Sequence, residues 1–163
     1  AVRALNPGTA IEVLIPDFCS NWQALDVVLD ARPDVLNHNI ETVPRLYLEV
    51  RPQGRYDRSL EVLARSKKAG LTTKSGLMMG LGERDEEVLE VMKDWRKAGV
   101  DLITLGQYMQ PTENHLAVKR YVEPDTFAFL QEQGLAMGFT NVFAGPLVRS
   151  SYHADEQASM ALV

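Results

Sequence analysis

The strongest constraint on the fold is an alternation that runs almost the length of the chain. Short β-branched apolar runs trade places with longer amphipathic ones, and the connectors are only a few residues long. "IEVLIPDF" (11–18) reads as a strand ended by Pro16 and Asp17. "NWQALDVVLDAR" (21–32) places Trp22, Leu25, Val28 and Leu29 on one helical face, and Pro33 stops it. "VLNHNIE" (35–41) is a strand whose later half turns polar, followed by an irregular stretch over 42–57 punctuated by Pro44, Pro52 and Gly54. A helix over 58–70 turns Leu60, Leu63 and Ala64 inward and closes on Gly70. A strand over 73–83 runs into a glycine turn. The helix over 85–99 opens with three acids that suit the positive end of its dipole and buries Val88, Met92 and Trp95. A strand with a polar loop (100–112), a helix with Pro124 at its first position (123–138) and a last strand (141–148) complete the series. Gly134 weakens that last helix by about 1 kcal/mol relative to Ala. The order β-α-β-α-β-α-β-α-β predicts an α/β fold with a mostly parallel sheet and right-handed crossovers.

Composition narrows the classes around that pattern. The 163 residues suffice for one domain with a sizeable core, and 45% hydrophobic with 24% charged residues is globular usage. A net charge of −5 argues against a general nucleic-acid surface. No apolar run approaches the roughly 20 residues that span a bilayer, so neither nucleic acid nor membrane is expected as a partner. "AVRALNPGTA" reads as the end of a helix plus a turn, which suggests a chain that starts partway through a larger protein. The single cysteine, Cys19, excludes an internal disulfide and any Cys-based zinc or iron–sulfur site built by this chain alone. His38, His115 and His153 are too far apart in sequence to suggest a metal pair.

In parallel sheets, ligands gather at the C-terminal strand ends. Asp17 sits there, with Asn37, Asn39 and Glu41; Lys74, Ser75 and Glu83; Gln107, Tyr108 and Gln110; and Arg149, Ser150, Ser151 and Tyr152. The two-residue strand period puts Asn37, Asn39 and Glu41 on one face, where a carboxylate can accept from both hydroxyls of a diol such as a ribose. Each could instead hydrogen-bond a neighbouring loop; three on one face favour a site. Gly76, Gly80 and Gly82 fit either a close ligand approach or turn geometry. "TKSG" lacks the upstream glycine and the Gly-Lys-Ser order of a phosphate loop. Lys74 is read as solvated or paired, with a Schiff-base role as the alternative. Tyr108, Met109, Met78 and Met79 are read as packing, and Arg45, Arg51 and Arg55 as a solvated helix face. Residues alone thus reach a parallel α/β domain with an unidentified ligand, ending in a polar tail that is either a frayed end or part of the site.

The stretches "VLIPDF", "ARPDVLNHNIETVPRLY", "VRPQGRYDRSLEVL", "TKSGLMMGLGE", "LGQYMQPT" and "GPLVRSSYHA" together resemble the lipoyl synthases, a family of radical S-adenosylmethionine (SAM) enzymes. The resemblance runs from about residue 5 to about 157 in the same order and spacing. It implies part of a (β/α)6 TIM-type barrel, about strands 3 to 6, over residues 1–140, with a C-terminal extension over 141–163 that carries the Arg-Ser-Ser-Tyr motif. The implied activity is radical insertion of two sulfurs at C6 and C8 of a protein-bound octanoyl group. The implied cofactors are SAM and two 4Fe–4S clusters, one of them an auxiliary cluster that supplies the sulfurs. The implied partners are octanoylated lipoyl-domain proteins (the E2 subunits of 2-oxoacid dehydrogenases and the glycine cleavage H protein) and a reductant such as flavodoxin or ferredoxin, in the cytoplasm. By the same resemblance Ser151 is a ligand of the auxiliary cluster, with Ser150 the less favoured choice. Residues 36–42 also resemble a strand of biotin synthase, which carries ribose binding to Asn39 and Glu41 and a substrate-facing role to Asn37. Biotin synthase has a cluster cysteine where this chain has Lys74, and that difference, with the tail, selects lipoyl synthase.

The cysteine segments of both clusters are absent from this sequence and are expected upstream of Ala1. Cys19 replaces no expected ligand and is read as structural. The chain is therefore expected to be inactive alone and prone to associate through an unpaired sheet edge. A barrel aldolase using Lys74 and a half-barrel SAM-binding module are the rival readings.

Overall fold

The computed structural model describes residues 1–152 and 154–156. The reading of His153 therefore lies outside the described residues, as does the last part of the 141–163 extension. A short helix α1 (Val2–Leu5) leads through a turn into β1 (Glu12–Leu14). Then follow α2 (Trp22–Asp30), β2 (Val35–Asn37), α3 (Tyr47–Val50), α4 (Tyr56–Lys68), β3 (Thr72–Met79), α5 (Asp85–Ala98), β4 (Leu102–Gln107), α6 (Pro124–Ala136) and β5 (Asn141–Gly145). The five strands form one parallel sheet in sequence order, β1-β2-β3-β4-β5. α2, α4, α5 and α6 each return the chain to begin the next strand, as the alternation requires.

Local chemistry sets the helix ends. The Arg84 amide donates to the Glu87 carboxylate (2.9 Å) at the start of α5, and Gly99 closes that helix with φ 82°. Gly134 lies inside α6 because a Cβ there would stand 2.7 Å from Val142 Cγ2 and 2.8 Å from Met92 Cε. The missing side chain lets α6 press against β5 and α5, which offsets its helix-propensity cost.

Register sorts the strand residues into two faces. One face, carrying Leu77, Met79, Ile103, Leu105 and Val142, packs against Val88, Met92 and Trp95 of α5 and Phe127 and Leu130 of α6, all buried. Leu36 joins a second cluster with Leu25, Val62 and Leu71. Burial of each such large side chain contributes about 1.5–3 kcal/mol. The opposite face holds the row Leu14–Asn37–Lys74–Leu102–Asn141, then Gly76–Thr104–Phe143, then Met78–Gly106–Gly145 toward the C-terminal strand ends.

Several strands are shorter than their apolar runs suggest. The expected strand over 35–41 is regular only for Val35–Asn37; it then bends, and Glu41 rejoins the sheet as an isolated bridge to Leu77. Glu41 takes φ 74°, a left-handed conformation, and leaves the strand path there. The stretch over 42–57, read as irregular, contains a 3-10 turn at Pro44–Leu46 and α3.

Candidate functional site

A cavity of about 400 Å³ opens at the C-terminal strand ends, within the size range of small-molecule sites. Asn39 and Glu41 from the bend after β2 form one wall, Gly76 and Thr104 the floor, and Val148, Arg149 and Ser150 the facing wall. Tyr108, Met109 and Gln110 from the loop after β4 line its mouth. Of the four residues read from sequence as packing, Met79 is fully buried, Tyr108 and Met78 pack with the core while also lining this cavity, and Met109 lines it but is 53% exposed.

The bend that carries Asn39 and Glu41 is held by backbone and from behind. The Ile40 and Glu41 amides both donate to Gly76 O (3.1 and 3.0 Å), and Met78 N donates to Glu41 O (2.9 Å). Gly76 leaves the room this arrangement needs: a Cβ would lie 2.6 Å from Thr104 Oγ1 and 2.9 Å from Asn39 Oδ1, so both side chains would have to move. On the helix side, His38 is buried with Nδ1 2.8 Å from Ile15 O and Nε2 3.0 Å from Ser59 Oγ. A carbonyl can only accept, so Nδ1 carries the proton and Nε2 accepts from Ser59, which in turn accepts from the Tyr47 hydroxyl at 3.2 Å. Burial lowers the His38 pKa and keeps this imidazole neutral. Arg51 Nη1 donates to Asn39 O (3.0 Å), and its side chain folds over Gly54, where a Cβ would meet it at 2.7 Å. Arg51 is thus half-buried behind the site, not on a solvated helix face as the sequence suggested. Arg45 pairs with Glu87 at 2.8 Å.

Electrostatics in the cavity centre on Glu41. Burial pushes its carboxyl up, against the pull of the Arg51 charge and the Asn39 amide. Asn39 Oδ1 is buried with no hydrogen-bond partner, an acceptor left open to a ligand donor. Below the cavity, Asn37 and Lys74 are sealed in the sheet's interior face. Lys74 is 0% exposed and its Nζ lies 3.1 Å from Glu12 Oε2, while Asn37 Nδ2 donates to Glu12 Oε1 at 2.8 Å. Burial lowers the Lys74 pKa, opposed by Glu12. Lys74 is held by Glu12 and does not line the cavity, so the structure brings its amine to no carbonyl substrate there and gives the aldolase reading no support.

Other strand-end residues proved structural. Both Glu83 oxygens accept backbone amides, Gly80 N at 2.6 Å and Leu81 N at 2.9 Å. Gln107 Nε2 donates to Arg120 O (3.1 Å) and its Oε1 accepts from Val122 N (2.9 Å), which anchors the loop after β4. Asp17 pairs with Arg58 at 2.7 Å. In the tail, Ser150 lines the cavity, Ser151 is exposed, and the Tyr152 ring stands edge-on to Phe143 at 6.4 Å. Thr104, Gly106 and Val148 are cavity residues that sequence reading passed over. The inward period of β4 would flag the first two, but only once the register is known.

A sequence profile of the Radical SAM superfamily matches residues 1–95, more than half of the chain. The chain belongs to the radical SAM superfamily. As a radical SAM protein it shares the fold of Streptococcus suis SuiB, bound to S-adenosylmethionine, with a TM-score of 0.68 at 11% identity over 84% of this chain and 32% of that one. This radical SAM chain is 57% identical to the lipoyl synthase of Rubrobacter xylanophilus over 99% of its length and 51% of that protein. It is 56% identical to the lipoyl synthase of Pseudomonas syringae pv. tomato over 98% of its length and 51% of that protein. The chain thus spans about half the length of the curated relatives it matches.

Membership of the superfamily implies SAM and a 4Fe–4S cluster. The cavity fits a SAM-sized polar ligand: an orphaned amide acceptor, a carboxylate and a glycine floor converge on one space. Among the described residues no three His, Cys, Asp or Glu side chains converge to hold a metal ion, and Cys19 is exposed, so these residues do not build a cluster site by themselves. Among the described residues, no helix is long and apolar enough to cross a membrane.

Proposed function

We propose that this chain is part of a lipoyl synthase, in which SAM-dependent radical chemistry inserts two sulfurs at C6 and C8 of an octanoyl group carried on a lipoyl-domain protein. The observation that carries this reading is the 57% identity to lipoyl synthases across 99% of the chain, set over a polar cavity at the C-terminal strand ends. SAM, when bound, supplies the radical chemistry that side-chain acids and bases cannot perform on an unactivated C–H bond.

The chain's own part in this reading is binding and orientation. Asn39 offers its orphaned Oδ1 and Glu41 its carboxylate to the ribose hydroxyls, and Gly76 leaves room for them. Asn37, sealed below the cavity against Glu12, is assigned to the substrate side on the resemblance to biotin synthase alone. Ser151, exposed after the tail turn, is assigned as the hydroxyl ligand of an auxiliary 4Fe–4S cluster, with cavity-lining Ser150 as the alternative. The thiolates of both clusters come from polypeptide outside this chain. Residues 1–140 then serve as part of the barrel and 141–163 as the extension that brings the serines to it. Octanoylated E2 and H proteins as substrates, flavodoxin or ferredoxin as reductant, and a cytoplasmic setting belong to the same reading.

The test uses the complete protein, reconstituted anaerobically with iron and sulfide. With SAM, reductant and an octanoyl-lysyl peptide it should yield the lipoyl peptide and 5′-deoxyadenosine. Ser151→Ala should lower bound iron while SAM affinity stays within twofold. Absence of the lipoyl product from a fully loaded protein would overturn the assignment.

A further inference from the structure

Near the ends of β4 and β5 a pair of glycines faces one another across the register, Gly106 and Gly145. Neither has a positive φ, so backbone freedom does not explain them. The space above Gly106 does: a Cβ there would stand 2.2 Å from Val148 O, 3.2 Å from Val148 C and 3.4 Å from Arg149 Nη1. Backbone atoms crowd that point, so no side-chain rotation can relieve it. The tail reaches it by a tight turn, with Val148 N donating to Gly145 O at 3.1 Å. Val148 is only 8% exposed, and a Cβ on Gly145 would meet its Cγ2 at 3.4 Å, an ordinary contact. Beyond the crossing, Tyr152 N donates to Arg149 O (2.9 Å) and its ring rests on Phe143 of β5. The segment therefore doubles back over the end of β4, and Val148, Arg149 and Ser150 become the cavity wall facing Asn39 and Glu41.

We infer that Gly106 is a positioning residue: by admitting the Val148 carbonyl over the end of β4 it seats residues 148–150 as the second wall of the cavity, so that ligand binding and tail docking support each other. This rests on the SAM reading of the cavity only for the identity of the ligand. A ligand held between two walls, one of them the tail, binds more tightly when the tail is already seated, and the tail opens less often when the ligand is present. Gly76 serves the first wall in the same way, by letting Asn39 approach Thr104.

Hydrogen exchange on the complete protein, with SAM as the probe, separates the parts of this claim. Without ligand, Gly106→Ala should speed exchange of peptides covering 146–152 by about tenfold while peptides from α5 and α6 keep their rates. Unchanged tail exchange in that variant overturns the seating. In the unsubstituted protein, SAM should slow exchange both at 39–42 and at 146–152. Protection at 39–42 alone would leave the SAM reading intact and overturn the coupling; protection at neither would overturn both. Gly106→Ala should also weaken SAM binding about tenfold, with Kd restored by no change at the cavity's opposite wall. Should that variant fold poorly, the ligand protection of the unsubstituted tail still decides the coupling.

Discussion

The two faces of the sheet are built on opposite rules. On the helix-covered face, Ile103, Leu105, Val142, Trp95 and Phe127 interlock with almost no exposure, and buried polar groups such as His38 with Ser59 and Tyr47 pair their ring nitrogens and hydroxyls. On the other face, Glu12, Asn37, Lys74 and Asn39 bring charge and amides into the interior, and two amide oxygens, Asn37 Oδ1 and Asn39 Oδ1, are left without partners. Unpartnered buried groups occur on both faces, Trp95 Nε1 among the helices included, but of these only Asn39 Oδ1 belongs to a residue that lines the cavity, where a ligand donor can supply the missing bond. The bend after β2 is held by backbone and by Arg51, and the tail by its turn onto Gly145 and by the room that Gly106 leaves for the Val148 carbonyl.

Substitutions should divide along that line. The largest loss is expected for Trp95→Ala, about 3–5 kcal/mol, because a fully buried ring leaves a cavity among α5 and the strands. Denaturant unfolding measures it, and a loss under 1 kcal/mol would show the covered face to be loosely packed. Lys74→Met should cost less, about 1–3 kcal/mol, because it strands a Glu12 carboxylate that keeps 22% of its side-chain exposure. Adding Glu12→Gln should restore most of that loss; a double variant no better than the single would mean the pair contributes nothing.

A pH titration sharpens the comparison on the covered side. The folded state favours neutral His38, whose pKa burial lowers from its ordinary 6.5, with the Arg51 and Arg58 charges adding to the shift and Ile15 O and Asp17 opposing it. Stability from this group is full above that ordinary value and drains away as pH falls through it toward the lower folded pKa. The melting temperature should therefore fall between pH 7 and pH 5, and His38→Gln should flatten that slope. The smallest stability effect belongs to the ligand face: Glu41→Gln should change unfolding by less than about 0.5 kcal/mol, since it removes a carboxylate that burial disfavours. It should nonetheless weaken SAM binding by tenfold or more, read by calorimetry on the complete protein. Equal affinity would remove Glu41 from the site.

The five-strand parallel order was legible from the chain alone, because hydrophobic period and Gly/Pro punctuation are local properties. Asn39 and Glu41 were legible for the same reason, as polar residues at a strand's end. Their neighbours were not. Whether Lys74 is solvated or sealed against Glu12 depends on a contact 62 residues away, and whether Ser150 or Ser151 faces the cavity depends on how the tail turns above Gly106. Arg51 looked like a surface charge until its carbonyl partner across the bend was known. Period and propensity decide which elements form; register and close approach, which arise only when distant segments meet, decide which of their side chains share a site.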